Sequence, residues 1–227
     1  MNPNLTGRVG ALCWLAAAPV FLVASLVTGL RWRQPTYSWA THNISDLGNV
    51  NCGIWDTTRP RYVCSPWHPL MNAAMLVTAA MLAAGLLLTW RLLGRGGVVR
   101  SAQTLLLLAT GGYALAALYP ADVDENLHVL GAFLIMGLGN VGLLLAGFAA
   151  GFTTLGRWRP LTLTAGFIAL VGTVLFFAQQ GIGIGVGGME RIAVLPFPLW
   201  ACCLGVLLTE KRNPAPARVD HAVAMPE

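Results

Sequence analysis

The run VGALCWLAAAPVFLVASLVTGL, residues 9–30, decides the class of this chain. It holds no charged side chain. As a helix rising about 1.5 Å per residue, it matches a hydrocarbon core about 30 Å thick. Its apolarity is continuous rather than alternating, so it reads as a spanning helix and not as a barrel strand. Arg8 precedes the run, but the apolar stretch is too long for a signal-peptide core. It closes on Arg31-Trp32-Arg33 without a small-residue cleavage site. A retained helix, bent at Pro19, is expected.

Five further runs resemble it, at residues 69–93, 102–119, 127–151, 161–179 and 192–208. The whole chain of 227 residues is 56% hydrophobic and 10% charged. A soluble domain carries about 25% charged residues. The sequence therefore predicts an all-α, polytopic membrane protein with six transmembrane helices in one bundle over residues 1–208. A long outer first loop is expected at 31–68, and a disordered cytoplasmic tail, rich in proline and poor in apolar residues, at 209–227.

Charge sets the expected orientation. With the N-terminus inside, Arg8, Arg91, Arg95, Arg100, Arg157, Arg159, Lys211, Arg212 and Arg218 fall on the cytoplasmic side. Arg31, Arg33, Arg59, Arg61 and Arg191 fall outside. The excess predicts both termini in the cytoplasm of a cell membrane. The net charge of +5 suits anionic inner-leaflet lipid, and no nucleic-acid motif accompanies it. Cys52 and Cys64 then lie in an oxidising compartment. They either close a disulfide, worth about 3 kcal/mol on a chain-entropy argument, or remain two thiols. Cys13, Cys202 and Cys203 read as packing residues.

Glycine and alanine recur inside the helices, as in Gly147-x-x-x-Gly151, where they let backbones approach. The first loop is rich in aromatics (Trp32, Tyr37, Trp39, Trp55, Tyr62, Trp67), which reads as a belt at the headgroups. Gly183-x-Gly185-x-x-Gly188 has the spacing of a dinucleotide fingerprint but follows an apolar helix instead of a strand. It reads as a flexible outer loop. No ionisable side chain falls mid-span, which counts against proton-coupled transport.

The candidate chemistry gathers on the outer side. His42, Asp122 and His128 have the donor types of a zinc site, and three ligands with an open position would activate water. The same histidines could instead only hydrogen-bond neighbouring helices or headgroups. Asp46 would serve as a base, with Arg191 or a histidine as its partner, and Arg191 would clamp an anionic group. Ser45, His68 and Glu190 complete the polar cluster. His42, Ser45 and Asp46 contain the residue types of a nucleophilic triad, but neighbours on one turn rarely reach triad geometry. Asn43, Ser45 or Asp46 capping a short helix that Gly48 ends is the more ordinary reading.

Several short motifs occur together: His42-x-x-Ser45-Asp46-Leu47-Gly48, Cys64-Ser65-Pro66, Met71-Asn72, Gly188-x-Glu190-Arg191-Ile192 and Pro198-x-Trp200. In these the chain resembles the membrane-protein family known as domain of unknown function 998, across all six helices. The resemblance implies a six-helix fold with an outer polar cluster and no assigned activity. A weaker likeness runs to alkaline ceramidase-type membrane hydrolases, which use a Ser, an Asp and three His near a membrane face. This chain departs from them in having six spans and no His-x-x-x-His in its last helix. Two functions are thus in play. One is a non-catalytic membrane protein whose outward His/Asp/Arg cluster binds lipid headgroups or an assembly partner. The other is a metal-dependent hydrolase or transferase acting on a lipid headgroup.

Overall fold

In a computed structural model the protein is described over residues 3–149 and 158–210. Eight α-helices follow in chain order: α1 (Pro3–Arg31), α2 (His68–Thr89), α3 (Gly97–Leu118), α4 (Glu125–Phe133), α5 (Asn140–Ala149), α6 (Arg159–Phe177), α7 (Val186–Val194) and α8 (Pro196–Glu210). A π-helical turn, Leu134–Gly139, joins α4 to α5 in one span, and α7 with α8 makes another. Six helices are therefore long and apolar enough to cross a membrane, as the sequence predicts. The second glycine of Gly147-x-x-x-Gly151, residues 152–157 of the hairpin before α6, and the tail from 211 lie outside the described residues. Thr209 and Glu210, where that tail was expected to begin, still belong to α8.

The spans form a ring. Each packs on the next in sequence, and α8 closes it against α1. The interior holds Trp14, Phe21, Leu82, Tyr113, Leu143 and Phe197, all essentially inaccessible. Small residues set the spacing, as expected: a Cβ on Gly112 would sit 2.6 Å from the Gly131 carbonyl oxygen of the facing helix. α1 runs unbroken through Pro19.

Helices extend past the apolar runs, into residues that hydrocarbon alone does not select. α3 begins at Gly97, not at 102, and takes in Arg100. The sixth span begins at Val186, not at 192. It breaks before Pro196 for a chemical reason. Pro198 has no N–H, so the Val194 carbonyl loses its partner four residues on. The Tyr113 hydroxyl donates to that oxygen at 2.9 Å, and the Asn140 amide donates to the neighbouring Ala193 carbonyl at 2.9 Å. Asn140 also reaches the Thr173 hydroxyl at 3.0 Å. Polar side chains inside the bundle thus repair a proline break, and the break makes α7 a separate short helix.

Residues 32–67 cover one end of the ring. They contain a 3-10 turn, Ser45–Gly48, and a hairpin of β1 (Gly53–Trp55) and β2 (Arg61–Val63). Gly53 pairs with Val63, Ile54 with Tyr62 and Trp55 with Arg61. The next pair in that register is Cys52 with Cys64, and these two form a disulfide. The expected aromatic belt is only partly one. Trp39, Tyr62 and Trp67 are exposed, but Trp32 and Tyr37 are buried around His42.

Candidate functional site

The short turn at 45–48 ends at Gly48 as read from the sequence, but it has no side-chain cap at its start. The Asp46 carboxylate accepts from the Asn43 N–H at 2.8 Å. Its main partner is neither Arg191 nor a histidine. Arg61 holds it in a two-point fork, Nε to Oδ2 and Nη2 to Oδ1, each at 2.6 Å. Nη1 of the same guanidinium reaches Asp56 at 3.0 Å. Asp56 sits at a left-handed φ of 73° and accepts from the N–H groups of Thr58 and Arg59, at 2.9 and 3.2 Å. Aspartate tolerates that conformation because its carboxylate bonds its own turn.

These contacts shift the titrations. Burial acts to raise the Asp56 carboxyl. The N–H bonds from Arg59 and Thr58 and the charge of Arg61 outweigh it and hold the group below the usual carboxylate range. Burial likewise acts to lower the Arg61 guanidinium, but Asp46 and Asp56 keep it above its ordinary value. Arg59 lies lower than usual through burial and repulsion from Arg61. Its Nη1 donates to the Thr41 carbonyl and its Nη2 to Asn43 at 2.7 Å.

The residues expected to build one site divide among separate places. His42 is buried in an aromatic box. Its Nδ1 accepts from the Ser38 N–H at 3.0 Å, so Nε2 carries the proton and donates to the Tyr62 carbonyl at 3.1 Å. Both ring nitrogens are engaged with backbone. Arg191, expected to clamp an anion, donates to the carbonyls of Trp39, His42 and Gly187 and to the Tyr37 hydroxyl. Burial pushes the Tyr37 hydroxyl well above its usual range, against the opposing pull of Arg191. Asp122 staples the first loop instead of facing His42: it accepts from the N–H groups of Val50 and Asn51 at 3.1 and 2.6 Å. His68 opens α2 with Nδ1 3.0 Å from the Ser65 carbonyl. Among the described residues, no three His, Cys, Asp or Glu side chains converge as a metal-ligand set.

The glycine-rich segment before α7 also has a definite role. Gly185 has a φ of 81°, and the Gly187 N–H donates to the Ala40 carbonyl at 2.9 Å. A Cβ on Gly185 would collide with the Ala40 carbonyl, and one on Gly187 with the His42 carbonyl. These glycines let the first loop lie directly on the start of α7. Chain flexibility is not what they supply.

Ser45, His128 and Glu190 do come together. All three line a cleft of about 340 Å³ at the loop-covered end. The hairpin and its turn supply one wall through Trp55, Asp56 and Arg61, and α6 supplies another through Phe176 and Phe177. His128 is positioned by Nδ1, 3.0 Å from the Tyr119 carbonyl, and α4 itself is capped by Asp124, which accepts from the Leu127 N–H at 3.0 Å. Glu190 is 4% exposed and accepts from the Ile44 N–H. Ser45, His128, Ala132 and Glu190 also line a narrow apolar pocket below the cleft, among Phe21, Met75 and Met136. They form the neck between a polar mouth and an apolar interior. The sequence places Glu190 in the outer polar cluster without marking it as buried. Its burial depends on the first loop lying over α7, and only the Gly185/Gly187 spacing hinted at that.

A family model described as Protein of unknown function (DUF998) matches residues 15–207. No curated protein matches the chain. No solved structure matches it either. The chain belongs to the DUF998 family and is a multi-pass membrane protein.

Proposed function

We propose that this DUF998 member holds an amphiphilic molecule, such as a membrane lipid, in the cleft at its loop-covered end, without transforming it. One observation carries the reading. The polar cleft is flanked by Val129 on α4 and Phe177 on α6, both about half exposed on the outer surface of the bundle. A polar cavity with an apolar lateral edge matches a head in the cleft and a chain in the bilayer, and about 340 Å³ lies within the range of small-molecule sites. The apolar pocket beneath, which shares Ser45, His128, Ala132 and Glu190, holds only about 30 Å³, room for water but not for a chain. With the cysteine pair and the arginine excess as guides, the cleft faces away from the cytoplasm and both termini lie on the cytoplasmic side of the cell membrane.

The metal-dependent alternative would need ligands other than the expected trio. His42 has both ring nitrogens on backbone groups, and Asp122 is held by the first loop. Native mass spectrometry in a mild detergent tests the binding reading. The wild-type protein is expected to retain one amphiphile per chain, and Ala132→Phe, which fills the neck, is expected to lose it. Identical adducts on the two proteins would refute the reading.

A further inference from the structure

The charges around the cleft do not balance, and the imbalance has a sign. Among the described residues the ion pairs are Arg61–Asp46 and Arg61–Asp56, so the one guanidinium lining the cleft is already neutralised. Arg59, beside it, is bound to the Thr41 carbonyl, Asn43 and Gln179. Arg191 follows Glu190 in the chain and is its nearest cation in sequence. Its guanidinium is nevertheless held by Tyr37 and three backbone carbonyls, not by the Glu190 carboxylate. Arg59 and Arg191 keep their charge, because neutral acceptors do not cancel it, but neither lines the cleft; among the side chains that do, Asp56, Glu125 and Glu190 outnumber Arg61. Glu190 lines the neck, more than nine-tenths buried, with no ion-pair partner among the described residues, and Glu125 stands exposed at the rim. Desolvating a carboxylate without a counter-charge is costly. A cation entering the cleft would offset that cost.

The walls favour the same sign. Trp55, Phe176 and Phe177 line the cleft, and an aromatic face attracts ammonium groups and repels anions. An anionic head would meet Asp56, Glu125 and Glu190 with no free guanidinium to receive it.

We infer that the head this cleft takes is cationic: an ammonium group held at the neck by Glu190 against the aromatic wall, with its apolar part directed past Val129 and Phe177 toward the bilayer. This rests on the reading of the cleft as an amphiphile site, and it reverses the anion-clamp role expected for Arg191. The ammonium could belong to a bilayer lipid or to a free amine with an apolar body.

Three probes decide it, added to the full-length protein in nanodiscs of phosphatidylcholine-free, uncharged lipid and followed by native mass spectrometry and thermal shift. Dodecyltrimethylammonium and dodecyl phosphate share a chain and differ in head charge, and tetramethylammonium has the head without the chain. The tailed ammonium is expected to bind at least tenfold tighter than the phosphate. Glu190→Gln is expected to remove that preference. Glu125→Gln, at an exposed position on the rim, is expected to reduce it by a smaller factor. Tight binding of tetramethylammonium as well assigns the site to a free amine, and its failure assigns it to an amphiphile; either supports a cationic head. If both tailed probes bind equally and Ala132→Phe abolishes both, the charge inference is wrong while the amphiphile reading stands. If no tailed probe binds, the amphiphile reading fails and this inference with it.

Discussion

Arg61 and Asp46 face each other in a two-point ion pair, with both contacts at 2.6 Å and side-chain exposures of 8% and 1%. The pair joins the hairpin to the 3-10 turn, so it holds one wall of the cleft against its floor. Buried pairs are weak evidence of net stability, but removing one partner strands the other charge.

Asp46→Asn and Arg61→Leu should each therefore destabilise the protein by about 3–5 kcal/mol, the usual range for breaking such a pair. The double variant should cost less than the sum of the two. Thermal unfolding of the detergent-solubilised proteins, read as a double-mutant cycle, checks this. Additive losses would mean that the two side chains are not coupled.

The disulfide extends the β1–β2 register by one pair and closes the loop carrying Trp55, Asp56 and Arg61. Cys52→Ser or Cys64→Ser should cost about 3 kcal/mol through the freer unfolded chain. Maleimide labelling of the denatured protein should modify Cys52 and Cys64 only after reduction. Labelling of both without reductant would contradict the bridge.

Acid should loosen the hairpin turn. The Asp56 carboxyl titrates below its ordinary value because its bonds to Thr58, Arg59 and Arg61 outweigh burial. A depressed folded pKa adds stability that is fully present above the unfolded value of about 3.9 and is lost as pH falls through the folded one. Asp56→Asn should lower the melting temperature at pH 6, and the gap to wild type should narrow below pH 4. A gap that stays constant from pH 6 to pH 3 would exclude this linkage.

The contact of the first loop with α7 depends on missing side chains. Gly187→Ala would drive a Cβ into the His42 carbonyl oxygen, whereas at Gly188 the nearest neighbours are the atoms of a single isoleucine, Ile184, at 3.1 Å or more. Gly187→Ala should lose expression or melt well below wild type, and Gly188→Ala should stay close to it. Equal melting temperatures would show that the loop does not lie on α7.

The proline break in the sixth span offers a measurement inside the bundle. Tyr113→Phe removes the donor to the Val194 carbonyl, which Pro198 cannot serve. Hydrogen bonds between membrane helices average about 0.6 kcal/mol and reach about 1.7. A loss within that range on unfolding in mixed micelles is expected; no loss would mean that water or another group serves the carbonyl equally well.

Much of this was legible in the residues. Continuous apolarity reports the spans directly, because a helix in hydrocarbon satisfies its own backbone and needs only length and composition. Cys52 and Cys64 were legible as a candidate pair from their shared loop. The partners of the cluster at residues 42–48 were not legible. Asp46 takes a partner fifteen positions on, which only the hairpin's return brings beside it. His42 and Arg191, apparent site residues by type, are bound to backbone carbonyls and amides that composition cannot report.

The sequence by itself determined that this chain is a six-helix membrane protein with most of its histidines and carboxylates in the segments at one end, since burial in lipid is a property of each segment alone. Only the tertiary structure decided which of those groups face a cleft and which serve as struts. Hydrogen bonding among first-loop backbone, hairpin and α7 assigns each polar side chain its partner, and those partners are many residues apart along the chain. Among the described residues Glu190 is left as a buried carboxylate without an ion-pair partner, and the guanidinium of Arg191, its neighbour in sequence, turns to the loop that covers it.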